Sequence, residues 1–311
     1  MNAILEGNRG SIELLPLDPS VVAGMSLRNP DDAYDHYSMR RPSNPSVKDN
    51  WHDFARTLGI DPHSLVASRS YLMAGNRVLY LDGFRPDDNV VWDERTESWN
   101  PRLDRPDAKN ALHAADAIIT TDRYANPSVQ NADCQMGLAV DPVRGIRAVA
   151  HFSWRTIARN LPTALVGAFL TLGSSHEDIR IYVTPGIGDK LANFDLDDTT
   201  VPFFARHGRA HLLDPNYGYL LPFDETDKDR YIEQNGQPRS PFGSTVLATS
   251  RVIGDDLVAA GLKPENVVVD WTEGIMRPDI HSYRRDGLPD LSKSRHGLSL
   301  ATLAWASNAT P

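Results

Sequence analysis

Residues 131–155 read NADCQMGLAVDPVRGIRAVAHFSWR, and the fold turns on how this stretch is paired. Two apolar runs, Met136 to Asp141 and Ile146 to His151, flank Pro142-Val143-Arg144-Gly145. Short apolar runs around a Pro/Gly turn predict a β-hairpin of two buried strands. If Asp141 pairs with Ile146, positions 134 and 153 face each other. Side chains alternate along a strand, so His151 then shares a face with Cys134, the chain's single cysteine. The two become diagonal neighbours, with backbones about 7–8 Å apart. An odd-length turn or a bulge would break this parity. A thiol beside an imidazole makes a nucleophile with its base, or two ligands of a metal.

At 311 residues the chain has room for one large domain or two small ones. It is 41% hydrophobic and 23% charged, as in soluble globular proteins. A formal net charge of −9 disfavours general binding to nucleic acid or anionic membranes. One cysteine forms no internal disulfide. The first residues carry early acids and no apolar core of a secretory signal, and no stretch has the length of a membrane span. The expectation is a cytoplasmic protein, monomer or homodimer, with a small-molecule substrate.

Outward from the hairpin, Asp49–Leu58 has helical spacing with Gly59 as its stop, and Leu65–Ala67 and Arg77–Leu81 read as strands. Residues 90–105 read as a polar surface excursion. Ala117–Thr121 is a strand, and Tyr124–Pro127 a turn leading into the hairpin. Pro162–Leu172 is a helix with proline in its first turn. Arg180–Val183 is a strand ending in Thr184-Pro185-Gly186-Ile187-Gly188, a turn whose amides could face an anion. Ser244–Ala260 reads as an amphipathic helix capped by Ser244 and closed by Gly261, and Asn266–Trp271 as a buried strand. Leu298, Leu300, Thr302 and Ala304 alternate as a last strand. Residues 1–20 are expected to form an irregular arm, and 197–243 a long loop or lid. Interspersed strands and helices without regular βαβ alternation favour a single α+β (mixed α/β) domain over residues 1–311.

Ala132-Asp133-Cys134, His151-Phe152-Ser153-Trp154-Arg155 and Ser282-Tyr283-Arg284-Arg285-Asp286-Gly287 resemble motifs of the laccase-domain family, once called multicopper polyphenol oxidoreductases. Ala115-Asp116-Ala117-Ile118-Ile119-Thr120 and Pro185-Gly186-Ile187-Gly188 are similar to further motifs of that family. The resemblance runs in order over roughly residues 20–306. It implies a compact α-β-β-α layered domain with mixed sheets and a cysteine–histidine site. It also implies activity of the purine nucleoside phosphorylase kind, or peptidoglycan editing. Several positions depart from the pattern. Ala74 stands where the family has a third, histidine ligand. Asn131 precedes Ala-Asp-Cys in place of threonine. Phe152-Ser153 replace Ala-Gly, which would fill the floor of the site. His281 replaces phenylalanine and Trp271 replaces cysteine.

Cys134, His151 and His281 are therefore the candidate catalytic groups, and Arg155, Arg284 and Arg285 the candidate anion binders. Trp154, Phe152 and Asn131 are expected around the substrate. Cys134 and His151 alone make an incomplete metal site, with His113 and His281 as candidate third ligands, so the cofactor expectation is none, or weakly bound zinc. Copper chemistry on phenols would need several histidine-rich sites that this chain lacks. The leading expectation is a diverged enzyme cleaving a C–N bond, by phosphorolysis or hydrolysis, in a purine nucleoside or a related nitrogenous molecule. The others are a specialised-metabolism enzyme using Cys134 as a metal-independent nucleophile on an amide or amidine, and a non-catalytic ligand-binding protein that has lost its metal.

Overall fold

A computed structural model describes residues 2–28, 47–67, 76–81, 90–93, 98–101, 115–189, 198–222, 225–235, 245–282 and 298–306. The strands in chain order are β1 (Ile4–Glu6), β2 (Ser11–Leu14), β3 (Val21–Ser26), β4 (Leu65–Ala67), β5 (Val78–Leu81), β6 (Val90–Asp93), β7 (Ser98–Pro101) and β8 (Ala117–Thr120). They continue with β9 (Asn126–Asn131), β10 (Gln135–Asp141), β11 (Ile146–Phe152), β12 (Arg180–Val183), β13 (Leu220–Pro222), β14 (Thr245–Leu247), β15 (Val267–Val269) and β16 (Ser299–Trp305). The helices are α1 (Val47–Thr57), α2 (Trp154–Ala158), α3 (Leu161–Thr171), α4 (Thr200–Arg206), α5 (Glu225–Asn235) and α6 (Thr249–Ala259).

The hairpin forms in the expected register, with Asp141 opposite Ile146 and Gln135 opposite Phe152. Its turn is closed locally. Asp141 Oδ1 accepts the N–H groups of Val143 and Arg144 at 2.8 and 2.9 Å. Gly145 supplies the left-handed residue at φ +70° that ends the turn. The hairpin is the centre of a mixed six-stranded sheet, ordered β15-β12-β10-β11-β8-β5. A second, eight-stranded mixed sheet runs β1-β2-β3-β16-β9-β4-β7-β6, and β13 pairs separately with β14.

Strand parity sorts the core into layers. Met136, Leu138, Val140 and Val149 cluster with Ala23 and Met25 of β3 and Leu303 of β16, so these side chains lie between the two large sheets. Alternate positions, Ala139, Ile146, Ala148 and Phe152, cluster instead with Leu165 and Phe169 of α3 and Ile253 of α6. Beyond the eight-stranded sheet, Trp51 and Phe54 of α1 cluster with Ile12 and Leu300. The domain is thus mixed α/β, with two sheets and helices packed against them. Central strands covered on both faces read as continuous apolar runs, which is why β10 and β11 show no alternation. Gly137 is required for packing: a Cβ there would lie 2.5 Å from Cε2 of Phe152.

Several local expectations are corrected. The arm expected over 1–20 forms β1 and β2, paired from Ile4 opposite Glu13. Short edge strands of mixed polarity carry too little period to be seen. The excursion at 90–105 contains β6 and β7, an antiparallel pair at the edge of the large sheet. Asn126 and Pro127, expected within a turn, already belong to β9, a strand that sequence reading missed. The helix expected from Ser244 is a strand, β14, followed by α6 from Thr249, and Ser244 lies outside the described residues. Val246 and Leu247 belong to that strand, whose pairing with β13 overrides a helix-like apolar spacing. The strand at 267–269 lies at a sheet edge with Val268 41% exposed, and Trp271 beyond it is 60% exposed. The stretch at 197–243, read as a loop, contains α4, β13 and α5. Among the described residues no helix is long and apolar enough to cross a membrane.

Candidate active site

At the open end of the hairpin Met136 pairs with His151. Cys134, two residues before Met136, therefore turns to the same side as His151, toward the second sheet. His151 is buried, and its backbone N–H donates to the carbonyl of Asp116 at 2.7 Å. Asp116 is itself fully buried just ahead of β8, and its Oδ1 lies 3.5 Å from Nδ1 of His151. Burial by itself pushes the imidazole pKa down. Asp116 and the Cys134 sulfur, each close to the ring, more than offset this and leave it raised to about 9. The raised value favours the protonated ring, set between a carboxylate and a sulfur.

Cys134 is half-buried and follows Asp133, which is held in the left-handed region at φ +81°. That conformation costs a non-glycine residue energy and is fixed here by contacts on both sides. Asp133 Oδ1 accepts from the Ser282 hydroxyl at 2.5 Å, and its carbonyl accepts the Ile187 N–H. The Pro185–Gly188 turn thus spends the Ile187 amide on the backbone next to Cys134. Asn131 donates from Nδ2 to the Cys134 carbonyl, bracing the same residue from β9.

A cavity of about 10 Å³, room for about one water, is lined by Asn131, Asp133, Cys134, Pro185 and His281. His281 is 1% exposed, so the histidine read as adjoining the site is a buried part of its wall. Cys134, Asn131 and His281 therefore share one cavity, and His151, which does not line it, lies close to Cys134. Asp116 was quoted as part of a strand motif but given no role. The signal was available: an acid at the mouth of an otherwise apolar strand is costly unless it has a partner.

Phe152 is placed differently from expectation. Its side chain points to the helix side, fully buried in that cluster, because strand alternation turns position 152 away from 151. It is core, and does not floor the site. Trp154 and Arg155 open α2, where Ser153 caps the helix by accepting the Thr156 N–H. The Trp154 ring stacks on Phe204 at 6.0 Å and meets Phe203 edge-on, with the Arg155 guanidinium 4.4 Å over its face. Neither residue lines the cavity beside Cys134. Ala74, His113, Arg284 and Arg285 lie outside the described residues.

The zinc implied by the family resemblance finds two donors here, the Cys134 sulfur and the His151 imidazole. Among the described residues no group of three His, Cys, Asp or Glu comes together as metal ligands. A catalytic zinc takes three protein ligands, and the described residues supply these two.

Two curated relatives share sequence with the chain. One is adenosine deaminase RL5 from an unknown prokaryotic organism, 31% identical over 136 residues, or 40% of this chain and 50% of that protein. The other is a purine nucleoside phosphorylase of Bacteroides thetaiotaomicron, 31% identical over 98 residues, or 31% of this chain and 36% of that protein. The chain spans half or less of the length of these relatives. In fold it is similar to the hypothetical protein YfiH of Bacillus licheniformis, with a TM-score of 0.67 at 17% identity over 98% of this chain and 100% of that one. YlmD of Geobacillus stearothermophilus also gives 0.67, at 18% identity over 98% and 99%. A family model described as multi-copper polyphenol oxidoreductase laccase matches residues 33–292, and the chain belongs to that family.

Proposed function

We propose that the protein is an enzyme cleaving a C–N bond of a purine nucleoside or a related nitrogenous molecule at the Cys134/His151 site. One observation carries this reading: a buried carboxylate and imidazole, Asp116 and His151, adjoin the half-buried Cys134 thiol, which shares a cavity with a second buried histidine, His281. The two curated relatives, named as an adenosine deaminase and a purine nucleoside phosphorylase, support the substrate class. Breaking a bond to a purine, whether at the sugar or at the exocyclic amine, requires a proton for the departing nitrogen. His151 supplies it, held as imidazolium by Asp116. Cys134 and His281 orient the base, and arginines hold phosphate if the reaction is phosphorolysis, with Arg155, Arg284 and Arg285 as candidates. The cavity bounded by described residues takes one water, so a nucleoside also needs room from neighbouring chain.

The test is release of base with phosphate, and of ammonia without it, from adenosine, inosine and guanosine, with the metal content of the same preparation measured alongside. Cys134→Ala and His151→Ala are expected to abolish turnover. Activity unchanged in both variants would sink the reading.

The order carboxylate–imidazole–thiol also favours a second reading, in which Cys134 is the nucleophile and His151 its base, acting on an amide or amidine. It predicts stoichiometric alkylation of Cys134 faster than that of a free thiol, with loss of turnover.

A further inference from the structure

The described residues carry a second, larger concavity at the opposite end of the sheets. It measures about 540 Å³, within the span of small-ligand sites, and its walls include Tyr124, Trp305, Arg123, Asn126 and His63. Strand β9 runs from Asn126 at this groove to Asn131 at Cys134. Five residue steps separate the two sites by about 16 Å.

Its floor has an unusual charge arrangement. Arg147, on the turn end of β11, is fully buried. Its guanidinium donates to neutral acceptors, Asn126 Oδ1 at 2.8 Å and the carbonyls of Asp122 and Ala125 at 2.6 and 3.0 Å. Nε has no hydrogen-bond partner, and among the described residues no carboxylate accepts from this side chain. Burial lowers its pKa to about 10 against the pull of Asp122, yet it stays charged at neutral pH. The guanidinium lies 5.0 Å over the Trp305 ring, and Trp305 lines the groove. A cation on one face of an indole draws its electron density, so an electron-rich or anionic ring is favoured on the other. At the rim, exposed Arg123 sits 5.8 Å from the Tyr124 ring and makes no ion pair among the described residues. Asp61 is the acid in the lining, and its Oδ1 already accepts the His63 N–H at 3.0 Å.

The geometry points to a second binding site here, for a planar aromatic carboxylic acid that stacks on Trp305 and Tyr124 and pairs its carboxylate with Arg123. The site is independent of the chemistry at Cys134.

Calorimetric titration of the full chain with 2-naphthoate, and with neutral 2-naphthamide as control, tests it. The acid is expected to bind at least about tenfold more tightly than the amide, the yield of one good charge-assisted pair. Arg123→Ala, an exposed change that leaves the core intact, is expected to erase that preference, and Trp305→Leu to weaken both ligands about tenfold or more. Cys134→Ala is expected to change neither, which separates this site from the catalytic reading. Absence of naphthoate binding at millimolar concentration overturns the proposal. So does equal affinity for acid and amide, a preference that survives Arg123→Ala, or loss of binding in Cys134→Ala.

Discussion

Substituting Gly137→Ala tests whether Phe152 is core or site. A methyl group built at 137 lies 2.5 Å from Cε2, 3.1 Å from Cζ and 3.4 Å from Cδ2 of Phe152. The first separation is far inside carbon–carbon contact, and the ring is fully buried, so it has no solvent to move into. Overpacking of this kind costs about 1–3 kcal/mol. Phe152→Leu, alone, opens a small void and costs on the order of 1 kcal/mol. In the double variant the smaller side chain makes room for the new methyl. The combined loss should then fall short of the sum by about 1 kcal/mol or more, a coupling of the size seen between touching residues. Urea unfolding of the four proteins measures this, provided the dependence on denaturant keeps one slope. Strict additivity would mean the two side chains do not meet, and would refute the packing. A Phe152→Leu variant that keeps its stability but changes KM would return Phe152 to the substrate.

The buried pair of His151 and Asp116 gives the stability a pH dependence. With its pKa raised to about 9 from an unfolded value near 6.5, His151 contributes fully below about pH 6.5, and that contribution is lost as pH rises through 9. Asp116→Asn should flatten this slope, and an unchanged urea midpoint profile between pH 6 and about 9.5 in that variant would contradict the pairing. Arg209 joins the chain after α4 to α6 through two hydrogen bonds to Asp256, at 2.6 and 2.8 Å, and a third to Asn160 at 3.1 Å. Both partners are largely buried, so Arg209→Ala should cost about 2–4 kcal/mol and speed proteolysis within 198–222. Proteolysis at the wild-type rate would show that the segment is held otherwise. Ser153→Ala removes the cap of α2 and should lose about 1 kcal/mol by thermal unfolding, with Ser153→Asn recovering most of it.

What could be read without the structure was whatever lies close along the chain. The hairpin was legible because its turn residues, Asp141 and Gly145, and its two apolar runs sit within one short stretch. Once Asp141 is opposite Ile146, parity alone brings His151 to the side of Cys134. Helices α1 and α3 were legible for the same reason, since their apolar spacing and end signals are local. The strands β1, β2, β6, β7 and β9 were not. Strands β1 and β2, like β6 and β7, pair close along the chain but are too short or too mixed in polarity to show a period. Strand β9 instead takes its partners from distant parts of the chain, as when Ser299 meets Asn131.

The sequence by itself determined the family motifs, the mixed α and β character and the cysteine–histidine pair. The tertiary structure decided which face each side chain serves. It turned Phe152 into the helix-side core, gave His151 a buried carboxylate in Asp116, and brought His281 from 147 positions along the chain to the wall beside Cys134. It also buried Arg147 under Trp305 at the far end of the sheets. Turns and short-range periods are set by neighbouring residues, whereas burial and charge pairing depend on which strands become neighbours across the sheets, and that is settled only when the whole chain packs.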